Sequence, residues 1–158
     1  MRTIYVVTIY YENTIMAFNW SSALETGHAV IDSQHKELIN AVNNFLAVCQ
    51  QGQAADKVGA KLDFLASYTK KHFSEEEALQ QKTGYPDYAN HRQYHEHLIK
   101  VIEGLSAELK QSGPTPTLVN KVIRNVGEWL VSHIMQQDVK IAAHLKQTGT
   151  DASTILTR

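Results

Sequence analysis

The sequence predicts an all-α protein: an antiparallel up-down-up-down four-helix bundle preceded by an N-terminal arm. Three observations carry this. Four long stretches repeat apolar residues at alternating steps of three and four, the core-facing stripe of a bundle helix. The breaks between them are short and contain Gly or Pro, which favours antiparallel neighbours. After residue 20 there is no apolar/polar alternation of the kind a half-buried strand needs, and no internal repeat.

The first helix is expected over residues 32–51. His35, Leu38, Val42, Phe45 and Cys49 form its stripe, with Asp32 as N-cap and Gly52 as stop. The second spans residues 54–82, with the stripe Leu62, Leu65, Thr69, His72, Glu76 and Leu79, and ends before Gly84-Tyr85-Pro86. The third spans residues 88–111, where Tyr88, His91, His95, Leu98, Ile102, Leu105 and Leu109 keep one rhythm. Ser112-Gly113-Pro114-Thr115-Pro116 is a loop, with Thr115 placed to cap the fourth helix and Pro116 at its first position. That helix is expected to run to Gln147. Residues 1–18 read as an N-terminal extension, 19–147 as the bundle and 148–158 as a C-terminal tail. The first fifteen residues suit either a natural extension or an upstream segment before a start at Met16. Gly59, Gly104 and Gly127 fall inside helices without a reason visible in the sequence.

With 158 residues the chain is long enough for one domain with a full core. Fifteen basic residues against sixteen acidic ones leave no basic stripe for nucleic acid. No apolar run is long enough for a membrane-spanning helix. The start, MRTIYVVTIYYENTI, lacks a small-residue cleavage site and makes a poor signal peptide. The single cysteine, Cys49, rules out an internal disulfide and suits a reducing compartment. A cytoplasmic protein is expected.

The polar residues on the stripes carry the chemistry. Residues four apart share a helix face, so His72 with Glu76, and His91 with His95, each aim two ligand-type groups at one point. His35 holds a stripe position on the first helix and His133 one on the fourth. A lone histidine on an apolar stripe is more often a hydrogen-bonded core residue than a ligand. Several together are different. Burying them all without partners would cost several kcal/mol for each charged group, and metal coordination removes that cost. Asp138 fits less simply. It lies five residues after His133, about 140° around an ideal helix. The stripe itself shifts there: Val122, Val126, Trp129 and His133 keep one register, while Asp138, Ile141 and Leu145 keep another. Either a local widening of the helix or a reaching carboxylate rotamer would bring Asp138 inward.

Seven such groups exceed what one transition-metal ion takes and suit two. Imidazole plus carboxylate fits iron, zinc, copper or manganese, and the lack of thiolates argues against structural zinc or an iron–sulfur cluster. Two bridging carboxylates, five terminal imidazoles and one bridging oxygen would nearly saturate two octahedral ions and leave one position open for a small ligand. Without the metal, the freed imidazoles are expected to protonate below about pH 6 and to destabilise the fold further as pH falls.

These residues, in this order, resemble the hemerythrin family, specifically single-domain bacterial hemerythrins. The resemblance rests on IDSQHKELI (31–39), HFSEEEAL (72–79), GYPDYANHRQYHEHL (84–98) and HIMQQD (133–138), with WSSALETGHAVID as the N-terminal arm. His28 and Gln80 depart from the pattern, which has an apolar residue and often a methionine there. The resemblance implies two iron ions. His91, His95 and His133 would bind one, and His35 and His72 the other. Glu76 and Asp138 would bridge them beside an oxo or hydroxo group. It implies reversible O2 binding at the two-histidine iron, for storage, delivery or sensing. Leu38, Phe73, Trp129, Leu130 and Ile134 adjoin ligands in sequence and are expected to line the gas pocket, which withholds protons from the bound gas. The alternative is a di-iron oxidase, peroxidase or nitric-oxide-handling protein on the same scaffold. His97 is expected to face solvent, His144 to have no role at the site, and Cys49 to act as a small hydrophobe.

Overall fold

The computed structural model describes residues 17–150; the expectations for residues 1–16 and 151–158 lie outside the described residues. Four long helices form the bundle: α1 (Ala29–Gln50), α2 (Ala55–Thr83), α3 (Tyr88–Ser112) and α4, which runs over residues 116–148. A short 3₁₀ turn, Ser22–Leu24, precedes them. Among the described residues there is no strand. The bundle expected from the apolar period is the one observed.

Helix ends follow local chemistry. Gly84 and Gly149 take left-handed conformations (φ 65° and 64°) just past α2 and α4, where a side chain would be strained. The Thr115 hydroxyl accepts from Leu118 N–H at 3.2 Å, with Pro116 at the first position of α4. The start of α1 corrects the sequence reading. The helix begins at Ala29, and the N-cap is His28, whose Nδ1 accepts from Ile31 N–H at 3.2 Å. Asp32 sits inside the first turn. Its carboxylate reaches back to accept from Thr26 N–H (2.8 Å), Thr26 O–H (2.7 Å) and Gly27 N–H (3.2 Å). It ties the arm to the helix instead of capping it.

α4 is not uniform. Pro116–Val122, Trp129–His133 and Val139–Thr148 are α-helical, whereas Ile123–Glu128 and Ile134–Asp138 are π-helical. Each π segment fits one extra residue into the rod and turns everything after it. The second is the local widening allowed for at Asp138. The first was not foreseen. It contains Gly127, and a Cβ there would overlap the buried ring of Phe18. Phe18 is held in place by Asn43, which accepts from its N–H (2.8 Å) and donates to its C=O (2.9 Å). Gly127 therefore serves close approach. Gly59 and Gly104 have open space around their Cβ positions and no such reason.

A sign reversal tests this contact. Gly127→Ala should destabilise the protein by about 1–2 kcal/mol, because overpacking outweighs the helix-propensity gain of about 1 kcal/mol. In a Phe18→Ala background only the propensity gain remains, and the same substitution should stabilise. Thermal unfolding of the four proteins checks both signs.

The main core runs through the bundle around Leu38, Phe45, Leu62, Phe73, Leu98 and Ile134. A smaller apolar cluster of Ile31, Leu79, Tyr85, Ile141 and Leu145 closes one end. Polar side chains are buried between them.

Candidate metal centre

All seven residues singled out as ligands are buried, His133 at 5% exposure and the rest at 2% or less. The structure brings them into two overlapping groups. His91, His95, His133, Glu76 and Asp138 form one; His35, His72, Glu76 and Asp138 form the other. In each, one donor atom per residue lies within 4.8 Å of all the others. The two carboxylates belong to both.

In the first group the Nε2 atoms of His91 and His95 are 2.9 Å apart, and His133 Nε2 lies 3.2 Å from each. Three nitrogens bound at about 2.1 Å in adjacent octahedral positions are about 3.0 Å apart. The triangle therefore has the size of one face of a metal's coordination shell. Glu76 Oε2 lies 3.2 Å from His91 Nε2 and 3.1 Å from His95 Nε2. Asp138 straddles the groups: Oδ1 is 3.0 Å from His133 Nε2 and 3.3 Å from His91 Nε2, while Oδ2 is 3.0 Å from His35 Nε2.

The donor set also fits two cations chemically. His35 Nε2 and all four oxygens of Glu76 and Asp138, the atoms that face the cluster, are buried without an aligned hydrogen bond. His35 Nε2, Glu76 Oε2 and both Asp138 oxygens approach partners at 3.0–3.3 Å, close but misaligned, as expected of atoms aimed at common points and not at one another. Leaving that many buried polar atoms unsatisfied is costly, about 1–3 kcal/mol each, and two cations would satisfy them together.

The π turn places Asp138. In an α-helix this residue would point about 140° away from His133. Here Val139 N–H donates to Ile134 C=O, a five-residue step, and the Asp138 carboxylate comes round to His133.

Burial and the Asp138 charge push the Glu76 carboxyl up, but contacts with the His91 and His95 imidazoles outweigh them and hold it at about 2. Burial likewise pushes Asp138 up, yet its histidine partners hold it well below the usual carboxylate range. Burial works against charge on His91, but Asp138 and Glu76 raise it to about 9. His95 is raised too, against burial, by Glu76 and Glu77. Burial pushes His72 down to about 4.

Two supporting residues were missed from sequence. His72 Nδ1–H donates to Gln34 Oε1 at 2.8 Å, and His95 Nδ1–H donates to Glu77 Oε1 at 2.9 Å. Each bond puts the ring proton on Nδ1 and frees Nε2 to face inward. Gln34 in turn donates to Glu75. Gln34 precedes His35 and Glu77 follows Glu76, but no periodicity marks either as important. Only the packing of α2 against α1 and α3 brings them to their histidines.

Two of the expected pocket residues stack on ligand rings. Phe73 stacks on His95 (3.7 Å between centroids, 3° between planes), and Trp129 on His133 (4.5 Å, 12°). Leu38, Leu130 and Ile134 are buried in the same apolar core, against which Trp129 packs half-buried. His97 is exposed, as expected. His144 stays outside the cluster, donating to Thr83 C=O at 2.9 Å and packing on Tyr85. Cys49 is a free, half-buried thiol that burial pushes up to about 11, which makes it unreactive.

Comparison with known proteins accords with this geometry. A family profile described as "Hemerythrin HHE cation binding domain" matches residues 26–145. A bacteriohemerythrin of Stenotrophomonas maltophilia is 33% identical over 133 residues, covering 81% of this chain and 84% of the relative. One of Methylococcus capsulatus is 34% identical over 121 residues, covering 75% and 89%. The crystal structure of a wild-type hemerythrin superposes with a TM-score of 0.72 at 31% identity, covering 81% of this chain and 97% of that one. With two overlapping ligand groups in a four-helix core and matches along most of its length, the chain belongs to the hemerythrin family.

Proposed function

We propose that this protein holds a non-haem di-iron centre and binds O2 reversibly. His91, His95 and His133 are assigned to one iron and His35 and His72 to the other, with Glu76 and Asp138 as bridges. The observation that carries this reading is the Asp138 carboxylate, whose two oxygens face different histidine groups. When bound, a ferrous pair would supply an open position and the electrons for reversible association with O2.

The chain's own residues supply the surroundings. Gln34 and Glu77 orient His72 and His95. Phe73 and Trp129 stack on ligand rings, and Leu38, Leu130 and Ile134 belong to the same buried apolar core. We assign these five as the pocket lining. All five are apolar and none carries a readily released proton, so a pocket they line disfavours water and withholds the protons that irreversible oxidation consumes. That favours a binder over an oxidase or peroxidase. No described helix is long and apolar enough to cross a membrane. The free Cys49 thiol suits a reducing compartment, and the cytoplasm is the setting we assign.

Repeated oxygenation and deoxygenation, followed by the visible charge-transfer band, tests the reading. Reduced protein should colour with O2, bleach when it is removed, and cycle with slow loss. Passage to the oxidised state in a single exposure, with release of hydrogen peroxide or oxidation of an added donor, would replace it with the oxidase or peroxidase reading. Leu130→Ala should admit water and speed autoxidation, by roughly tenfold if the loss of exclusion is worth about 1.4 kcal/mol.

A further inference from the structure

His28 and Gln80 are 4% and 0% exposed. Neither is accounted for by the metal centre. His28 Nδ1 is used as the α1 cap, accepting from Ile31 N–H, so the ring proton lies on Nε2. Burial keeps the ring neutral by lowering its basicity. That Nε2–H donor is buried and finds no acceptor among the described residues. The Gln80 amide is worse placed: neither Oε1 nor Nε2 has a partner. Its backbone C=O is occupied by Tyr85 N–H at 2.8 Å, which leaves the side chain as the unsatisfied part.

The two residues lie at the same level of the bundle. Gln34 of α1 meets His72 and Glu75 of α2, which fixes the antiparallel register. Moving six residues back along α1 reaches His28, and five forward along α2 reaches Gln80. The two steps run about 9 Å and about 7.5 Å the same way. His28 falls two turns before His35 on its stripe, and Gln80 one turn after Glu76. This level otherwise holds the apolar cluster of Ile31, Leu79, Tyr85 and Ile141.

We propose that His28 and Gln80 form a buried water site, in which a water molecule accepts from His28 Nε2–H and donates to Gln80 Oε1. It is a polar pair set among the apolar residues of the end cluster. It does not depend on which metal occupies the centre or on what that metal does. Buried waters characteristically join polar groups that cannot reach one another directly.

Two near-isosteric changes decide the matter in iron-loaded protein of matched iron content. His28→Asn keeps a capping oxygen but removes the Nε2–H donor. Gln80→Met keeps the volume and removes the amide. If a water joins the pair, each single change should lower the melting temperature by about 2–6 °C. The double change should lower it no further than the worse single one, because the same water is lost. Gln80→Met raising the melting temperature would overturn the proposal, since that is the result of removing an amide that satisfied nothing. A crystal structure of the iron-loaded protein supplies a second readout. Ordered density within hydrogen-bonding distance of His28 Nε2 and Gln80 Oε1 supports the site. A direct His28–Gln80 bond with no water between them overturns it.

Discussion

Alanine at Glu76 or Asp138 is expected to remove both irons from the protein, or to leave at most one bound weakly. Glu76 and Asp138 are the members shared by both donor groups. A terminal histidine serves one ion, whereas a bridging carboxylate serves two and neutralises charge between them. Losing even an outer-shell partner typically weakens metal binding 10–100-fold, so loss of a shared ligand should exceed about 100-fold at each site. His97→Ala is the matched control, because that side chain is exposed on the far side of α3. It should retain two irons per chain. Iron content after gel filtration, with helicity measured alongside, separates loss of metal from loss of fold. If His97→Ala strips iron while Asp138→Ala keeps it, the assignment of the fourth-helix ligands fails.

Removing the metal should lower the melting temperature by roughly 10 °C or more. Ligand present at a thousand times its dissociation constant contributes about 4 kcal/mol. For a chain of this size that is about 8–16 °C. The pH dependence of this gap differs from what the sequence suggests. In the metal-free protein, burial opposes charge on His91, but the Asp138 and Glu76 carboxylates win and raise it to about 9. A raised histidine contributes stability that is fully present below its ordinary value near 6.5 and is lost as pH rises through about 9. Glu76, held at about 2, contributes stability present above its ordinary range and lost only as pH falls through about 2. Protons on His91 therefore stabilise the metal-free cluster between about pH 6.5 and 9, and metals must displace them. The melting gap between loaded and metal-free protein should widen as pH rises across this window and narrow as it falls. Calorimetry of both forms from pH 6.5 to 9 checks it; a gap that widens toward pH 6.5 would show that the carboxylates do not hold these protons. The expectation from sequence concerned pH below about 6; between pH 6.5 and 9 the trend runs the other way because the imidazoles are not left facing one another alone. Glu76 and Asp138 are close enough to hold their protons.

His72 behaves differently, and the contrast has a physical cause. It is fully buried at the His35 side, and burial pushes it down to about 4. Its Nδ1–H donates to the neutral Gln34 amide, whereas His95 is raised against burial by direct contacts with the Glu76 and Glu77 carboxylates. A carboxylate stabilises an imidazolium and an amide does so far less.

Local rules determined much of this protein from sequence alone. The bundle follows from the step of three and four along four stripes, because burying one face of each helix is the only way to remove that much apolar surface from water. Paired ligands four apart, His72 with Glu76 and His91 with His95, were legible for the same reason: helical geometry alone puts them on one face. Thr115 and Pro116 marked the start of α4 through capping chemistry that acts within one turn.

Tertiary structure decided the rest. Asp138 joined the cluster only through a π turn, and sequence showed the stripe shifting there without showing whether backbone or rotamer would absorb it. The Phe18 ring explains Gly127, and no pattern links positions so far apart. His28 displaced Asp32 as the cap of α1 because Asp32 found better partners in the arm, at Thr26 and Gly27. Gln34 and Glu77 acquired their roles only when α2 packed beside α1 and α3. Periodicity reports which face of a helix is buried. It carries no record of which neighbour that face meets, and hydrogen bonds between helices, close ring contacts and the charge state of a buried cluster all depend on the neighbour.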